Sequence, residues 1–158
     1  MNKRPIIIDT DPGIDDAVAI AVALNSEKLD VKLITTVAGN VDVEKTTNNA
    51  LKILKFFNKS IPVAKGCSRH ILKTAVSASN VHGESGMDGY DFEEGDRKNL
   101  LPINAVEALR KTIMSSKEKI TLVAIGPLTN IALLFIEYPE VKANIQEIAR
   151  SEEHTSEL

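Results

Sequence analysis

The chain has 158 residues, of which 43% are hydrophobic, and a formal net charge of −3 at pH 7, which fits one globular domain with a substantial core. The acidic balance, without a cluster of lysine and arginine, argues against nucleic-acid binding, because phosphate contacts need concentrated positive charge. No apolar run reaches the length of a membrane helix and no signal-peptide core is visible, so we expect a cytoplasmic protein that acts on a small ligand without a membrane.

The predicted elements alternate strand and helix along the chain. Ile6 to Ile8 form a β-branched run typical of a buried strand, and Pro12-Gly13 separates it from a helix predicted over 15–24. Further strands are predicted at 31–38, 61–64 and 120–125, and further helices at 43–57, 103–114 and 129–137. This alternation predicts an α/β fold, with an open, largely parallel Rossmann-like sheet and flanking helices.

Two helices carry expectations about single side chains. Thr46, Asn48 and Asn49 are expected on the polar face of the second helix. Thr129 is expected to cap the last helix, and Pro139 to end it.

Four carboxylates follow the first strand within eight residues: Asp9, Asp11, Asp15 and Asp16. Such close negative charges repel one another unless a cation joins them. Asp15 and Asp16 could simply cap the helix, but Asp9 and Asp11 lie two apart at the carboxyl end of a strand, where open α/β sheets place ligands. Oxygen donors without nearby His or Cys favour Ca²⁺ or Mg²⁺.

Two other polar residues stand at informative places. Asn40 follows the second predicted strand directly, although an Asn after Gly is more often a turn residue. His82 lies in the stretch 66–101, which lacks regular periodicity and is interpreted either as a functional lid or as disorder.

The segment D-T-D-P-G-I-D-D-A-V-A-I at 9–20 resembles the N-terminal signature of the inosine/uridine-preferring nucleoside hydrolases. Supporting matches follow in order: V-A-G-N at 37–40, H-G-E-S-G-M-D-G at 82–89 and L-V-A-I-G-P-L-T-N-I-A at 122–132. The resemblance extends over 4–149 and implies the nucleoside hydrolase fold. It also implies calcium-dependent cleavage of the N-glycosidic bond of ribonucleosides, in nucleoside catabolism and purine and pyrimidine salvage.

The resemblance implies that three residues hold the Ca²⁺: Asp11, Asp16 and, through its backbone carbonyl, Ile125. A water would attack the anomeric carbon of the ribose, and Asp11 would accept the water's proton as the catalytic base. Nearby carboxylates would favour the positive charge of an oxocarbenium-like transition state.

By the same resemblance, Asp15, Asn40 and His82 would contact the ribonucleoside substrate. Asp9 would orient the metal ligands without binding the ion itself. The full-length protein is expected to be a homo-oligomer, and the choice between purine and pyrimidine bases stays open.

The last residues depart from the family pattern. Residues 141–149 resemble the approach to the family's next strand, but R-S-E-E-H-T-S-E-L at 150–158 replaces the strand and matches one reading frame of a common sequencing adapter. We therefore expect a four-stranded sheet, with 1–149 as the N-terminal part of a single domain and 150–158 as a non-native tail. Such a fragment is expected to be inactive.

Two other classes remain open. D-T-D after an apolar strand also resembles haloacid-dehalogenase-type Mg²⁺-dependent phosphatases, in which Asp9 would be the nucleophile. Pro12-Gly13 followed by two aspartates departs from that pattern. The non-enzyme alternative is a truncated fold that binds an ion and has no activity.

Overall fold

The centre of the molecule is a five-stranded sheet in which every neighbouring pair of strands is parallel. The structure, a computed structural model, describes residues 2–72 and 83–151. The strands are β1 (Arg4–Thr10), β2 (Leu29–Thr36), β3 (Val63–Lys65), β4 (Ile120–Ala124) and β5 (Ile145–Arg150), in the spatial order β3-β2-β1-β4-β5. The predicted α/β fold with a parallel sheet is confirmed.

Helices lie on both faces of this sheet. In the described part of the chain they are α1 (Ile14–Asn25), α2 (Val43–Phe56), α3 (Ala105–Ser115) and α4 (Thr129–Glu137), with 3-10 turns at Arg97–Asn99 and Pro139–Asn144. Each predicted helix forms within two residues of its expected bounds, and α4 forms with the bounds predicted. Within the described ranges, no helix combines the length and apolar character needed to span a bilayer.

Side chains on the two faces of β1 pack into two separate hydrophobic clusters. Ile6 and Ile8 pack with α1 and α2, whereas Ile7 packs with α3 and α4. Because successive side chains of a strand point to opposite faces, a continuous apolar run is what a strand covered on both sides requires. The sequence Ile6-Ile7-Ile8 therefore places β1 in the middle of the sheet.

The strand order reverses at β1. Asp9 lies beside Thr35 of β2 on one side and beside Ala124 of β4 on the other. The chain proceeds outward to β3 in one direction and to β5 in the other, so the carboxyl end of β1 is the switch point at which open α/β sheets bind ligands.

The prediction of a four-stranded sheet is wrong, because residues 145–150 form β5 and pair with β4 from Ile120 to Ala124. Only Ile145, Ile148 and Ala149 of β5 are apolar, and most of the strand is exposed. An exposed edge strand does not show the apolar run of a buried one, and its backbone pairing with β4 is what makes it a strand. Residues 152–158 of the predicted tail lie outside the described part.

Two expectations about single side chains are also wrong. Thr46 and Asn49 are buried, because α2 packs this face against the exits of β1 and β2, and only Asn48 is partly exposed. Thr129 is the first residue of α4 and is buried, while Leu128 occupies the N-cap without a side-chain hydrogen bond.

Candidate active site

Asp11 directly follows β1 and is 1% exposed. The backbone nitrogen of Asn40 donates to Asp11 Oδ2 at 2.8 Å, and the Asn40 side-chain amide donates to the Asp11 carbonyl at 2.9 Å. Gly39 lies so close to this carboxylate that a Cβ there would stand 2.1 Å from Oδ2. The exit of β2 therefore supports Asp11 through backbone that comes too close for a side chain.

Asp16 connects the first turn of α1 to Asn40, and through Asn40 to Asp11. Its Oδ2 accepts a hydrogen bond from the Gly13 backbone nitrogen at 3.1 Å, which closes the capping arrangement at the start of the helix. The Asn40 amide also donates to Asp16 Oδ2, at 3.4 Å. The structural and functional interpretations of Asp16 are thus compatible, since the cap fixes a carboxylate beside Asn40. Asp15, the preceding residue, is exposed.

The turn after β4 lies against the end of β1. The backbone nitrogens of Ile125 and Gly126 both donate to the Asp9 carbonyl, at 2.9 and 3.2 Å. A Cβ at Gly126 would meet the Asp11 nitrogen at 2.9 Å, so the two chain segments are in close contact. The Ile125 peptide is held at the strand end that carries Asp11.

Asp9 belongs to a buried hydrogen-bond network that also contains Thr35 and Asn130. Its Oδ2 accepts from Thr35 Oγ1 at 2.5 Å and from Asn130 Nδ2 at 2.9 Å. The partners come from β2 and from the first turn of α4, so the Asp9 carboxylate connects a strand and a helix that are distant in the chain. Hydrogen bonds of this kind hold the carboxylate in one orientation, and the role of Asp9 in orienting the metal ligands stays a prediction.

Asn49, which is expected on the polar face of α2, instead donates from its amide to the Pro12 carbonyl at 3.1 Å and to the Ser85 carbonyl at 2.8 Å. It therefore joins α2, the turn after Asp11 and the segment that begins at Gly83. Asn130 and Asn49 are among the contributors that sequence reasoning missed. Asn130 lies within the family-like segment 122–132, which is the signal that could have pointed to it, whereas Asn49 lies in none of the segments that carry the resemblance.

The segment after His82 is folded around Asp88. The backbone nitrogens of Glu84 and Ser85 and the Ser85 hydroxyl all donate to its carboxylate. The Ser85 hydroxyl chiefly, with these amides, holds the pKa of Asp88 below its usual range, against a smaller opposing effect of desolvation. Gly83 has φ +79°, in the left-handed region that favours glycine. His82 itself lies outside the described residues.

Cys67 lies beside the buried network, and its backbone nitrogen donates to Asn130 Oδ1 at 2.9 Å. Partial burial raises the pKa of its thiol, and the nearby Asp9 charge raises it further. Because the thiolate is the reactive form, a raised pKa makes this thiol less nucleophilic than an exposed cysteine at the same pH.

The donors gathered here are carboxylate, carbonyl and amide oxygens, which suit a hard cation such as Ca²⁺ or Mg²⁺. Within residues 2–72 and 83–151, no three His, Cys, Asp or Glu side chains come together as metal ligands. The predicted set contains two acidic side chains, Asp11 and Asp16, and one backbone carbonyl, and it stays a prediction. The donor chemistry is therefore of the kind that suits a hard cation.

Comparison with known proteins gives a consistent match. The family model described as inosine-uridine preferring nucleoside hydrolase matches residues 6–150. The non-specific ribonucleoside hydrolase RihC of Klebsiella pneumoniae subsp. pneumoniae is 57% identical over 146 residues, 92% of this chain and 48% of the relative. RihC of Shigella flexneri is 56% identical with the same coverage. The chain spans about half the length of the curated relatives it matches.

Solved structures agree with the sequence matches. A purine-preferring ribonucleoside hydrolase from Gardnerella vaginalis superposes with a TM-score of 0.86 at 29% identity, over 93% of this chain and 48% of that structure's chain. The plant nucleoside hydrolase PpNRh1 also gives a TM-score of 0.86, at 37% identity, over 94% of this chain and 48% of that chain.

Proposed function

Because the chain belongs to the inosine-uridine preferring nucleoside hydrolase family, we propose that its protein hydrolyses the N-glycosidic bond of ribonucleosides and releases base and ribose. The observation that carries this proposal is the joining of Asp11, Asn40 and Asp16 by hydrogen bonds at the switch point of the sheet. The family match supports the same reaction, because it includes all the strands that meet there.

We propose Ca²⁺ as the cofactor, held by Asp11, Asp16 and the backbone carbonyl of Ile125. Oxygen-only donors support a hard cation, and the packing of Gly39 and Gly126 against Asp9–Asp11 supports a fixed position for the Asp11 carboxylate. When bound, such an ion supplies positive charge that polarises water and attracts ribose hydroxyls.

The chain's own residues would divide the remaining work. Asp11 accepts the proton of the water that attacks the anomeric carbon, and the Asn40 backbone nitrogen keeps the Asp11 carboxylate in one orientation. Asp15 is exposed beside the cluster, where it can bind a ribose hydroxyl. His82 is proposed to contact the substrate, by the resemblance of its H-G-E-S-G segment to the family. Asp9 positions the strand end rather than reacting.

The wider assignment follows from the family likeness. We propose a cytoplasmic homo-oligomer that serves nucleoside catabolism and the salvage of purine and pyrimidine bases. The phosphatase alternative is less favoured, since Thr35 and Asn130 hold the Asp9 carboxylate against β2 and α4, where it is buried.

The test is a chimera in which residues 1–149 are continued by the C-terminal part of the Klebsiella relative. We expect Ca²⁺-dependent ribose release from uridine and inosine, and no phosphate release from a phosphomonoester. The 158-residue chain alone is expected to be inactive in the same assay. Phosphate release without ribose release would refute the proposal.

Asp11→Asn should lower turnover of the chimera by about two to four orders of magnitude, because it removes both a ligand charge and the base. Asp9→Asn should be milder. Asp30→Asn is the matched control, since this residue lies at the opposite end of β2 beside Lys32. Equal losses for Asp11→Asn and Asp30→Asn would show that the assigned site is wrong.

A further inference from the structure

We infer that Asn130 is a positioning residue, which fixes Asp11 and Asn40 relative to each other by connecting the exits of β1 and β2. The inference concerns a geometry present in the chain itself. Its consequence for Ca²⁺ binding rests on the proposed function.

Asn130 lies in the first turn of α4 and is fully buried. Its Nδ2 donates to Asp9 Oδ2 and to the Thr36 carbonyl, both at 2.9 Å, and its Oδ1 accepts from the Cys67 nitrogen at 2.9 Å. Both amide protons are therefore used, and one side chain joins the exits of β1, β2 and β3.

The Gly66 backbone packs directly against the Asn130 side-chain amide. A Cβ at Gly66 would stand 2.3 Å from the Thr36 carbonyl oxygen and 2.4 Å from both polar atoms of the Asn130 side chain. The amide is thus enclosed by backbone, and it has little freedom to turn away from its partners. An enclosed amide with three hydrogen bonds holds its partners more firmly than an exposed one.

The segment after Thr36 leads directly to the candidate site. Val37 donates to the Thr10 carbonyl at 3.1 Å, and Ala38 donates to the Cys67 carbonyl at 2.9 Å. Two residues later, the Asn40 nitrogen reaches Asp11 Oδ2. Since Asn130 bonds to both Thr36 and Cys67, it fixes the two segments between which residues 37–40 run.

The same amide acts on β1 through Asp9. The Asp9 carboxylate is held by Asn130, while the Asp9 carbonyl accepts the hydrogen bonds of Ile125 and Gly126. Loss of the Asn130 amide would therefore loosen the strand end that carries Asp11 and the peptide that carries the Ile125 carbonyl together.

The first test is amide hydrogen exchange in the 158-residue chain without metal. In the unmodified chain, the Asn130 side-chain amide protons should exchange as slowly as the backbone amide of Val37. Asn130→Ala should speed exchange of the Asn40 backbone amide at least tenfold beyond the change in global stability. Rapid exchange of the Asn130 amide in the unmodified chain would overturn the inference.

Asn130→Asp distinguishes the donor role of the amide nitrogen from the acceptor role of the amide oxygen. It keeps the shape and the acceptor for Cys67 but replaces the donor to Asp9 by a second carboxylate, so it should loosen Asn40 at least as much as Asn130→Ala. Ile113→Val is the control, because it removes a buried methyl group of α3 away from the exits. If the Asn130 variants change Asn40 exchange no more than Ile113→Val does, the positioning role is wrong.

The second test is Ca²⁺ titration by calorimetry, with Asp11→Asn as the reference. We expect Asn130→Asp to weaken Ca²⁺ binding at least fivefold relative to Ile113→Val. If Asp11→Asn has no effect on binding, the proposed metal site fails while the exchange result still decides the role of Asn130. If Asp11→Asn abolishes binding and Asn130→Asp does not weaken it, the inference fails and the proposed site stands.

Discussion

Gly39→Ala tests the support of Asp11 most directly. The added Cβ would stand 2.1 Å from Asp11 Oδ2, so an ordinary contact of 3.4 Å requires the carboxylate to move by about 1.3 Å. Such a shift breaks the 2.8 Å hydrogen bond from the Asn40 nitrogen. A hydrogen bond to a charged group contributes about 1.5–3 kcal/mol to the free energy of unfolding. Replacing Gly by Ala offsets about 0.4–1 kcal/mol of this loss, because alanine lowers the conformational entropy of the unfolded chain. We expect a net loss of about 1–2 kcal/mol in the free energy of unfolding.

Urea unfolding of the 158-residue chain without metal measures this loss, and calorimetric Ca²⁺ titration measures its effect on binding. Gly89→Ala is the matched control, because a Cβ there meets nothing within 4 Å, while its φ of +116° still makes alanine unfavourable. Both variants should lose stability, but only Gly39→Ala should weaken Ca²⁺ binding. Wild-type stability together with wild-type Ca²⁺ affinity in Gly39→Ala would refute the described contact between Gly39 and Asp11.

Two further predictions concern the scaffold. The Arg110 guanidinium lowers the pKa of Glu107 to about 2, so this pair stabilises the fold above the ordinary pKa of 4.5 and loses its effect as pH falls towards 2. Glu107→Gln should therefore lower the free energy of unfolding at pH 7 and have a much smaller effect near pH 2. An equal effect at both pH values in urea titrations would contradict the ion pair. Asp42 caps α2 by accepting from the Lys45 nitrogen at 3.0 Å, so Asp42→Ala should cost about 1 kcal/mol in urea unfolding, whereas an unchanged midpoint would argue against the cap.

The sequence alone determined the parts of this protein that depend on local pattern. The apolar run of β1, the break at Pro12-Gly13 and the helical periodicity of α2 and α3 specify their own conformations, because a period of two or of 3.6 residues needs no distant partner to be recognised. The placing of Asp11 and Asn40 in one site was implied by the family resemblance, and the strand pattern is compatible with it. Parallel strands end at a common edge, so polar residues directly after neighbouring strands come together.

Only the tertiary structure showed the role of residues whose hydrogen-bond or pairing partners are distant in the chain. Asn130 is 121 positions from Asp9 in the chain, and Asn49 is 37 positions from Pro12, so helical periodicity does not reveal their hydrogen-bond partners. The strand β5 is a similar case, because its mixed composition becomes a strand only by pairing with β4. Local propensity is a weak preference, and burial with hydrogen bonding across the sheet overrides it at these places.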